Sequence, residues 1–544
     1  MGRVLNIPGR WIPASDIVVG VLIADHRYGA EASVSVSNDA YQDASMFWGE
    51  MLFFKNNLKA TTFINGDEAI WRAKTVDFEK TGKIQHSLYL MTDKWANPIT
   101  GVYEVIPDYY SSTWTALGAA VFTGAVAGQP KPTGLDGNGQ TITVTRYPNH
   151  GQQMYDVSGG SYGYNVANNT IGHSNLSEFN QMLNVTRNPV ELAIGRKLIT
   201  LAYRNGISNS WTIAKNNFLG GRNSGGRTSG AALTSYGFKQ SDKSVKLGEF
   251  FYSDAQIAAN PNLGWTYTHH LNRQSTVQYE ASLTAGGAGS DNYLTAHNNF
   301  KAYLTTLING NGSSIKSLFT SSGWYQEFSH WANMKNGTGW TGTKGDIRAL
   351  YEDYLSHLSS LLNDHFVFKG GYDEIVGYHT NRDSVLRVDL YSISGGLKIN
   401  LRRNRLPIDD LIICPITVII DFTGTSFEGK NFKPSKNCIG IRKISTNVYA
   451  IDLTDNCEIL EDSTGVYYDF TKPTATAVLS GNNLTITSNI MTKTVVYTVD
   501  GNGIVSEVSR DNEFVTSRHL TLSNTTNLKV GFVSAVGESI LIEL

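Results

Sequence analysis

The segment between residues 31 and 65 constrains the fold most, because its hydrophobic period changes twice within a short stretch. Residues 31–37 (EASVSVS) alternate between polar and apolar side chains, which is typical of a β-strand with one buried face. Residues 45–57 (SMFWGEMLFFKNN) carry apolar side chains at helical spacing, and residues 58–65 (LKATTFIN) return to a strand pattern. A strand, a helix and a strand in succession predict a βαβ unit, and therefore a parallel sheet.

Changes of pattern divide the rest of the chain. We predict an N-terminal arm over residues 1–30 and an α/β domain over 31–385, with an insertion of strands and loops at about 70–160. A β-sandwich over 386–470 and an immunoglobulin-like β module over 471–544 follow, because helical spacing stops and short strand patterns alternate with turns. The length of 544 residues agrees with about three to four domains.

Individual elements can be predicted inside these units. Helical spacing predicts helices over 177–183, 189–204, 291–307 and 346–362. Strand patterns are predicted over 210–214, 384–401, 411–421 and 448–453, and in six short runs after residue 473.

Composition and charge argue against two classes of partner. The charged fraction is 17% and the formal net charge is −2, so nucleic acid, which requires a basic face, is not expected. No stretch approaches the roughly 20 apolar residues that a membrane span requires.

The first 27 residues lack the pattern of a secretory signal peptide, so the localisation stays open between a virion and the extracellular space. Cys414, Cys438 and Cys457 have spacing that supports neither a disulfide framework nor a zinc site.

Five short motifs follow one another along the predicted α/β domain. They are residues 37–43 (SNDAYQD), 58–66 (LKATTFING), 168–176 (NNTIGHSNL), 221–226 (GRNSGG) and 323–331 (GWYQEFSHW). The first lies where a strand of a parallel sheet ends, and active sites of parallel α/β barrels gather at these carboxyl ends.

In this order the motifs resemble those of the polysaccharide deacetylases, the NodB-homology carbohydrate esterases, over roughly residues 30–385. That family has a first strand ending in T-F-D-D-G, a second reading K-A-T-F-F-V-x-G, and a later N-H-T-x-x-H-x-N-L motif with two metal-binding histidines. The resemblance implies an α/β fold, a deacetylase-like distorted (β/α) barrel, followed here by two small β-sandwich domains. Residues 494–501 (TVVYTVDG) resemble the chitobiase-type immunoglobulin-like modules that accompany many glycan-active proteins.

The resemblance assigns roles to nine residues. The catalytic positions are Asn38 (base), Arg222 (orienting group) and His330 (general acid), the metal positions are Asp39, Asn169 and His173, and the substrate-binding positions are Tyr41, Trp324 and Trp331. A divalent metal, zinc or similar, is implied if the protein is active, and no cofactor otherwise.

Two of these positions depart from the family. Asn38 replaces the base, and an amide cannot take a proton near neutral pH; a positioned base is commonly worth about 10² to 10⁴ in rate. Asn169 replaces the first metal-binding histidine, and an amide oxygen is a poor substitute for imidazole on zinc. Asp25 and His26 follow an apolar strand, and they either enter a site or form a surface turn.

Three functions are compatible with this pattern. The first is a polysaccharide-binding protein on a degenerate deacetylase-like barrel, such as a phage tail or receptor-recognition component, whose partner is a polysaccharide or cell-surface glycan and which assembles into a larger particle or a homo-oligomer. The second is an active metal-dependent polysaccharide deacetylase, in which Asp43 or Asp25 replaces the base. The third is a structural virion or assembly protein. Fold resemblance does not decide among them.

Overall fold

The computed structural model describes most of the chain outside the segment between residues 91 and 289. The described residues are 20–39, 43–64, 69–90, 187–188, 190–203, 218–222, 277–279, 283, 290–313, 317–320, 322–331, 347–383, 385–403, 415–454 and 456–544, with short strands between 94 and 157.

Helices and strands alternate in the first part, and strands alone follow. The helices are α1 (Asp43–Lys55), α2 (Ala69–Thr81), α3 (Ser290–Asn309), α4 (Ile347–Leu362) and α5 (Tyr372–Asp383). The strands up to residue 369 are β1 (Gly20–Ile23), β2 (Ala32–Asp39), β3 (Ala60–Ile64), β4 (Ile84–Leu90), β5 (Lys94–Ala96), β6 (Tyr103–Val105), β7 (Thr113–Ala116), β8 (Ala120–Thr123), β9 (Thr133–Leu135), β10 (Thr141–Thr143), β11 (Asp156–Val157), β12 (Thr200–Tyr203), β13 (Gly220–Arg222), β14 (Val277–Gln278), β15 (Trp324–Ser329) and β16 (Val367–Lys369). The later strands are β17 (Val385–Ile393), β18 (Gly396–Arg403), β19 (Ile416–Asp421), β20 (Phe432–Pro434), β21 (Cys438–Lys443), β22 (Val448–Leu453), β23 (Cys457–Glu461), β24 (Ala475–Ser480), β25 (Asn483–Val499), β26 (Val505–Thr521), β27 (Leu528–Ser534) and β28 (Ser539–Glu543).

A parallel sheet of eight strands organises the first part of the molecule. Its order is β13–β12–β4–β3–β2–β15–β14, and β16 pairs with the first half of β2. All of these pairings are parallel, and α1 connects β2 to β3 as the sequence predicts. The mixed α/β class and the parallel sheet are therefore confirmed.

The sheet curves into a half-barrel. Arg222, the last residue of β13, places its guanidinium carbon 4.1 Å from the ring centre of Phe328 on β15 and 4.9 Å from that of Phe63 on β3. Four strands separate β13 from β15 in the sheet order, so this contact requires the concave face to close on itself.

The two faces of the sheet have different cores. On the convex face, Val34 and Val36 pack under α1, α3 and α4 in a cluster rich in tyrosine and tryptophan, where Tyr279 and Tyr354 stack at 4.6 Å. Inside the half-barrel, Phe63 and Trp324 pack against Tyr372, the first residue of α5. Because successive residues of a strand face opposite ways, each strand contributes to both cores.

A buried ion network lies where α5 enters the half-barrel. The Asp373 carboxylate accepts hydrogen bonds from the Thr200 amide (2.9 Å) and from Ser87 Oγ (3.1 Å), and Arg196 Nη1 donates to it at 2.7 Å. Arg196 also binds Glu79. Burial would raise the pKa of Glu79, but the charge of Arg196 holds that pKa well below its usual range. The network ties α2, β4, β12 and α5 together.

Two antiparallel sheets follow the α/β part and share one hydrophobic core. Their strand orders are β1–β19–β22–β21 and β17–β18–β23–β20. The first strand of the described chain belongs here, because β1 pairs with β19 in the register Gly20 to Asp421. The carboxyl part of the predicted N-terminal arm is thus an edge strand of this unit.

The last strands form a five-stranded antiparallel sheet in the order β24–β25–β27–β28, with β26 paired to β25. The two long strands, β25 and β26, change register at three places, and such irregularities let a strand pair bend. Val495, Tyr497 and Val533 join the core beneath α1, so this sheet packs directly on the α/β part.

Two element predictions in the α/β part need correction. The helix predicted over 189–204 ends near Gly195, whose φ of +72° breaks helical geometry, and residues 200–203 form β12. The start of the insertion predicted at about 70–160 is α2 and β4, which extend the parallel sheet. The sequence of α2 is mostly polar, so hydrophobic period does not predict this helix. Among its described side chains, Phe78 is the buried large apolar residue. The predictions over 177–183 and 210–214 lie outside the described residues.

Among the described helices, none has the length and apolar character that crossing a membrane requires.

Candidate functional site

Four of the predicted site residues, Asp39 and the three assigned catalytic positions, lie at the carboxyl ends of parallel strands. Asn38 is paired in register with Ser329, and His330 follows directly, so Asn38 and His330 end neighbouring strands. Arg222 ends β13 and points into the half-barrel, where it contacts Phe328. The three residues that were assigned catalytic positions therefore lie at one edge of the sheet, with Arg222 inside the half-barrel and the Asn38 side chain on the convex face.

Asn38 is fully buried and uses its amide for packing. Its Oδ1 accepts a hydrogen bond from the Trp331 backbone N–H at 2.9 Å, and its Nδ2 donates to Met46 Sδ at 3.7 Å. Met46 lies on α1, so the Asn38 side chain belongs to the convex, helix-covered face. The amide fastens the end of β15 to β2 and α1.

Arg222 is a buried cation held between aromatic rings. It is 1% exposed, and Phe63 and Phe328 place their ring faces within 5 Å of its guanidinium. A desolvated cation over an aromatic ring is worth about 2 kcal/mol. This arrangement keeps a positive charge inside the half-barrel close to its carboxyl edge.

Trp324 and Trp331 were assigned to substrate, and both are buried. Trp324 is 2% exposed and donates from Nε1 to Ser35 Oγ at 2.9 Å inside the half-barrel. Trp331 lies under the helices, where its Nε1 donates to Tyr351 Oη at 3.1 Å. Neither ring presents an exposed face on which a sugar could stack, so both act in packing in this structure.

A buried carboxylate stands between these residues on β15. Glu327 is fully buried on the convex face, and Ser329 Oγ donates to it. Burial, and next the charge of Glu327, raises the pKa of Tyr351. Glu327 is enclosed by helices on the same convex face as the Asn38 side chain, so neither side chain faces into the half-barrel.

The metal positions are not covered by this geometry. Asn169, His173 and Tyr41 lie outside the described residues, and so does the side chain of Asp39. Within the described ranges, no three His, Cys, Asp or Glu side chains are grouped as a metal would require. The divalent metal stays a prediction from the sequence.

Asp25 and His26 were predicted either to enter a site or to form a surface turn, and the structure gives the two residues different environments. Asp25 is exposed, whereas His26 is buried and bonds to Ser33 Oγ (2.7 Å) and to the Ser322 carbonyl (2.9 Å). Burial lowers the pKa of His26 to about 4. The imidazole is thus a neutral group that fastens the beginning of β2.

A second feature, which the sequence did not predict, is a cleft of about 260 Å³ at the opposite edge of the parallel sheet. It opens between the amino ends of β3 and β4 and the turn that joins β27 to β28. Its lining includes four lysines, four aromatic residues and three glutamates: Lys59, Lys80, Lys369, Lys493, Tyr28, Phe368, Phe470, Phe514, Glu79, Glu374 and Glu538. These residues come from eight separate parts of the chain, so no local motif could have revealed the cleft.

Two comparisons with known proteins do not identify a family for this chain. No protein-family model matches the chain, and no curated protein matches it either.

Proposed function

We propose that this protein binds a polysaccharide through a deacetylase-like distorted (β/α) barrel that has lost its catalytic base. The observation that carries the proposal is the burial and hydrogen bonding of the Asn38 amide. The residue stands where the resembling family has its base, and its amide is buried and bonded to Trp331 and Met46. An amide in this setting cannot accept a proton, so Asn38 does not supply the first step of deacetylation.

The arrangement of strands supports the same proposal. The curved parallel sheet places Asn38, Arg222 and His330 at its carboxyl edge, where ligands of parallel α/β folds bind, and the Arg222 side chain lies inside the half-barrel. We further propose that the two paired antiparallel sheets and the terminal five-stranded sheet are β-sandwich modules of the kind that accompany glycan-active domains. A receptor-recognition component of a phage tail is the biological setting that we propose for this combination.

Glycan binding and acetate release, measured on the same preparation, test the proposal. The purified chain is screened by affinity electrophoresis against neutral and charged polysaccharides, and acetate release is measured from acetylated chitooligosaccharides and acetylxylan. We expect retarded migration with at least one polysaccharide and no acetate above a blank. Metal content is determined in parallel, with Asp39→Ala as the matched variant.

The outcomes separate the three functions. Stoichiometric metal and acetate release, both lost in Asp39→Ala, would replace the binding proposal with an active deacetylase. If neither glycan binding nor acetate release is detected, the remaining function is that of a structural assembly protein.

A further inference from the structure

The cleft at the amino edge of the parallel sheet holds more positive charge than its own carboxylates neutralise. Lys59 Nζ lies 2.7 Å from Glu374 and Lys369 Nζ lies 3.0 Å from Glu538. Lys80 and Lys493 line the same cleft, and the Lys493 ammonium contacts the Lys80 carbonyl, not a carboxylate. The third lining glutamate, Glu79, is already bonded to Arg196.

A fifth lysine lies beneath the cleft. Lys83 is 1% exposed, and its Nζ donates to the carbonyls of Leu58 (3.0 Å) and Gly537 (2.8 Å). Burial, and next the charge of Lys369, lowers the pKa of Lys83 well below its usual range. Burial, and next the charge of Lys59, also lowers the pKa of Lys493. Lys369 and Lys59 repel Lys83, and Lys59 repels Lys493, so an anion bound in the cleft would relieve this repulsion.

Aromatic side chains form the walls beside this charge. Phe514 is half-buried under the Lys493 ammonium, which lies 4.8 Å from its ring centre. Phe470 is half-buried on the other side and packs edge-on against Tyr28 at 5.1 Å. Exposed ring edges and faces next to cations provide an apolar surface and a charge partner within one small space, a combination that suits a charged sugar.

We infer that this cleft binds an anionic sugar residue, one that carries a carboxylate, sulfate or phosphate, with its charge between Lys80 and Lys493 and its ring against Phe514. The inference rests on the proposed polysaccharide binding, adds a second site at the edge opposite Asn38 and Arg222, and narrows the glycan to an acidic one. It also gives a role to the junction between the α/β part and the terminal sheet, because each side supplies one of these two lysines.

Calorimetric titration of the full chain tests the inference with four probes. They are a uronate hexasaccharide, a sulfated heparin-derived hexasaccharide, neutral chitohexaose and inorganic phosphate. The test variant is the double substitution Lys80→Gln and Lys493→Gln. Its matched control is Lys430→Gln with Lys433→Gln, which removes two lysine charges from an exposed face of the paired antiparallel sheets.

We expect at least one acidic hexasaccharide to bind the unmodified chain and the control, and to bind the test variant about tenfold more weakly, since two charge-assisted contacts are lost. Lys80→Gln alone, at an exposed position, should weaken binding in the same direction without affecting folding. Thermal unfolding of each variant verifies that the fold is intact.

Other results overturn the inference in distinguishable ways. Equal binding to the test variant and the control would place the acidic sugar elsewhere. Binding of chitohexaose alone would leave the proposed polysaccharide function standing and remove the acidic specificity. Phosphate binding as tight as that of the acidic hexasaccharides would show a simple anion site, and the absence of any saccharide binding would contradict both proposals.

Discussion

Arg510 on β26 and Glu50 on α1 form a two-point ion pair in the interface between the terminal sheet and the α/β part. Nη1 and Nη2 of Arg510 lie 2.8 Å and 2.6 Å from the two carboxylate oxygens of Glu50, and the side chains are 4% and 0% exposed. Tyr497 Oη donates to the same carboxylate at 2.6 Å. The pair is therefore enclosed and fully bonded, and it connects two units that lie far apart in the sequence.

Removing the arginine should strongly destabilise the protein. Arg510→Met leaves the Glu50 carboxylate buried without its cation, which costs about 3 to 5 kcal/mol of unfolding free energy. Urea unfolding measures the loss. The pair of Arg402 with Asp389, in which the arginine side chain is 49% exposed, supplies a control, because Arg402→Met should cost less than about 1 kcal/mol. If Glu50→Leu combined with Arg510→Met is as unstable as Arg510→Met alone, the unpaired charge is not the cause.

Asn38 should matter for stability. Asn38→Ala removes the acceptor of the buried Trp331 N–H and should lower the unfolding free energy by about 1 to 3 kcal/mol. Asn363→Ala, at an exposed position beyond α4, should change it by less than about 0.5 kcal/mol. Denaturant unfolding of both variants measures these free energies. Equal stabilities would show that the Asn38 amide does not stabilise the end of β15.

Stability should fall as the pH is lowered through the range in which His26 charges. The folded-state pKa of about 4 lies below the ordinary value of 6.5, so between these values the unfolded chain binds more protons than the folded one. Stability therefore rises from pH 4 to pH 6.5, by up to about 3 kcal/mol from this residue. His26→Asn should flatten the slope in urea unfolding between pH 4 and pH 7.5. An unchanged slope in that variant would assign the pH dependence to other groups.

The contact of β27 with α1 should not tolerate an added methyl group. A Cβ on Gly531 would lie 2.7 Å from Cδ2 of the buried Phe54 ring, so Gly531→Ala should cost about 1 to 3 kcal/mol. A Cβ on Gly501 meets nothing within 4 Å, which makes Gly501→Ala the matched substitution. Thermal unfolding compares the two variants. Similar midpoints would mean that the terminal sheet does not pack on α1 as described.

Local pattern in the sequence determined the elements that have a buried face and a regular period. The alternation of residues 31–37 and the helical spacing of 45–57 correctly predict β2, α1 and the parallel sheet that they imply. The strand predicted over 448–453 coincides with β22. Hydrophobic period is a property of neighbouring residues, so it can be recognised without knowledge of the fold.

Tertiary structure alone decided which distant segments meet. The pairing of Gly20 with Asp421, the contact of Arg222 with Phe328 and the collection of Lys80 and Lys493 at one cleft join residues that share no local pattern. It also decided that Asn38 bonds to Met46 under a helix, although its place at a strand end follows from the sequence. Such contacts depend on how whole layers bury their apolar faces and on how the sheet curves, and neither is encoded in the spacing of a few residues.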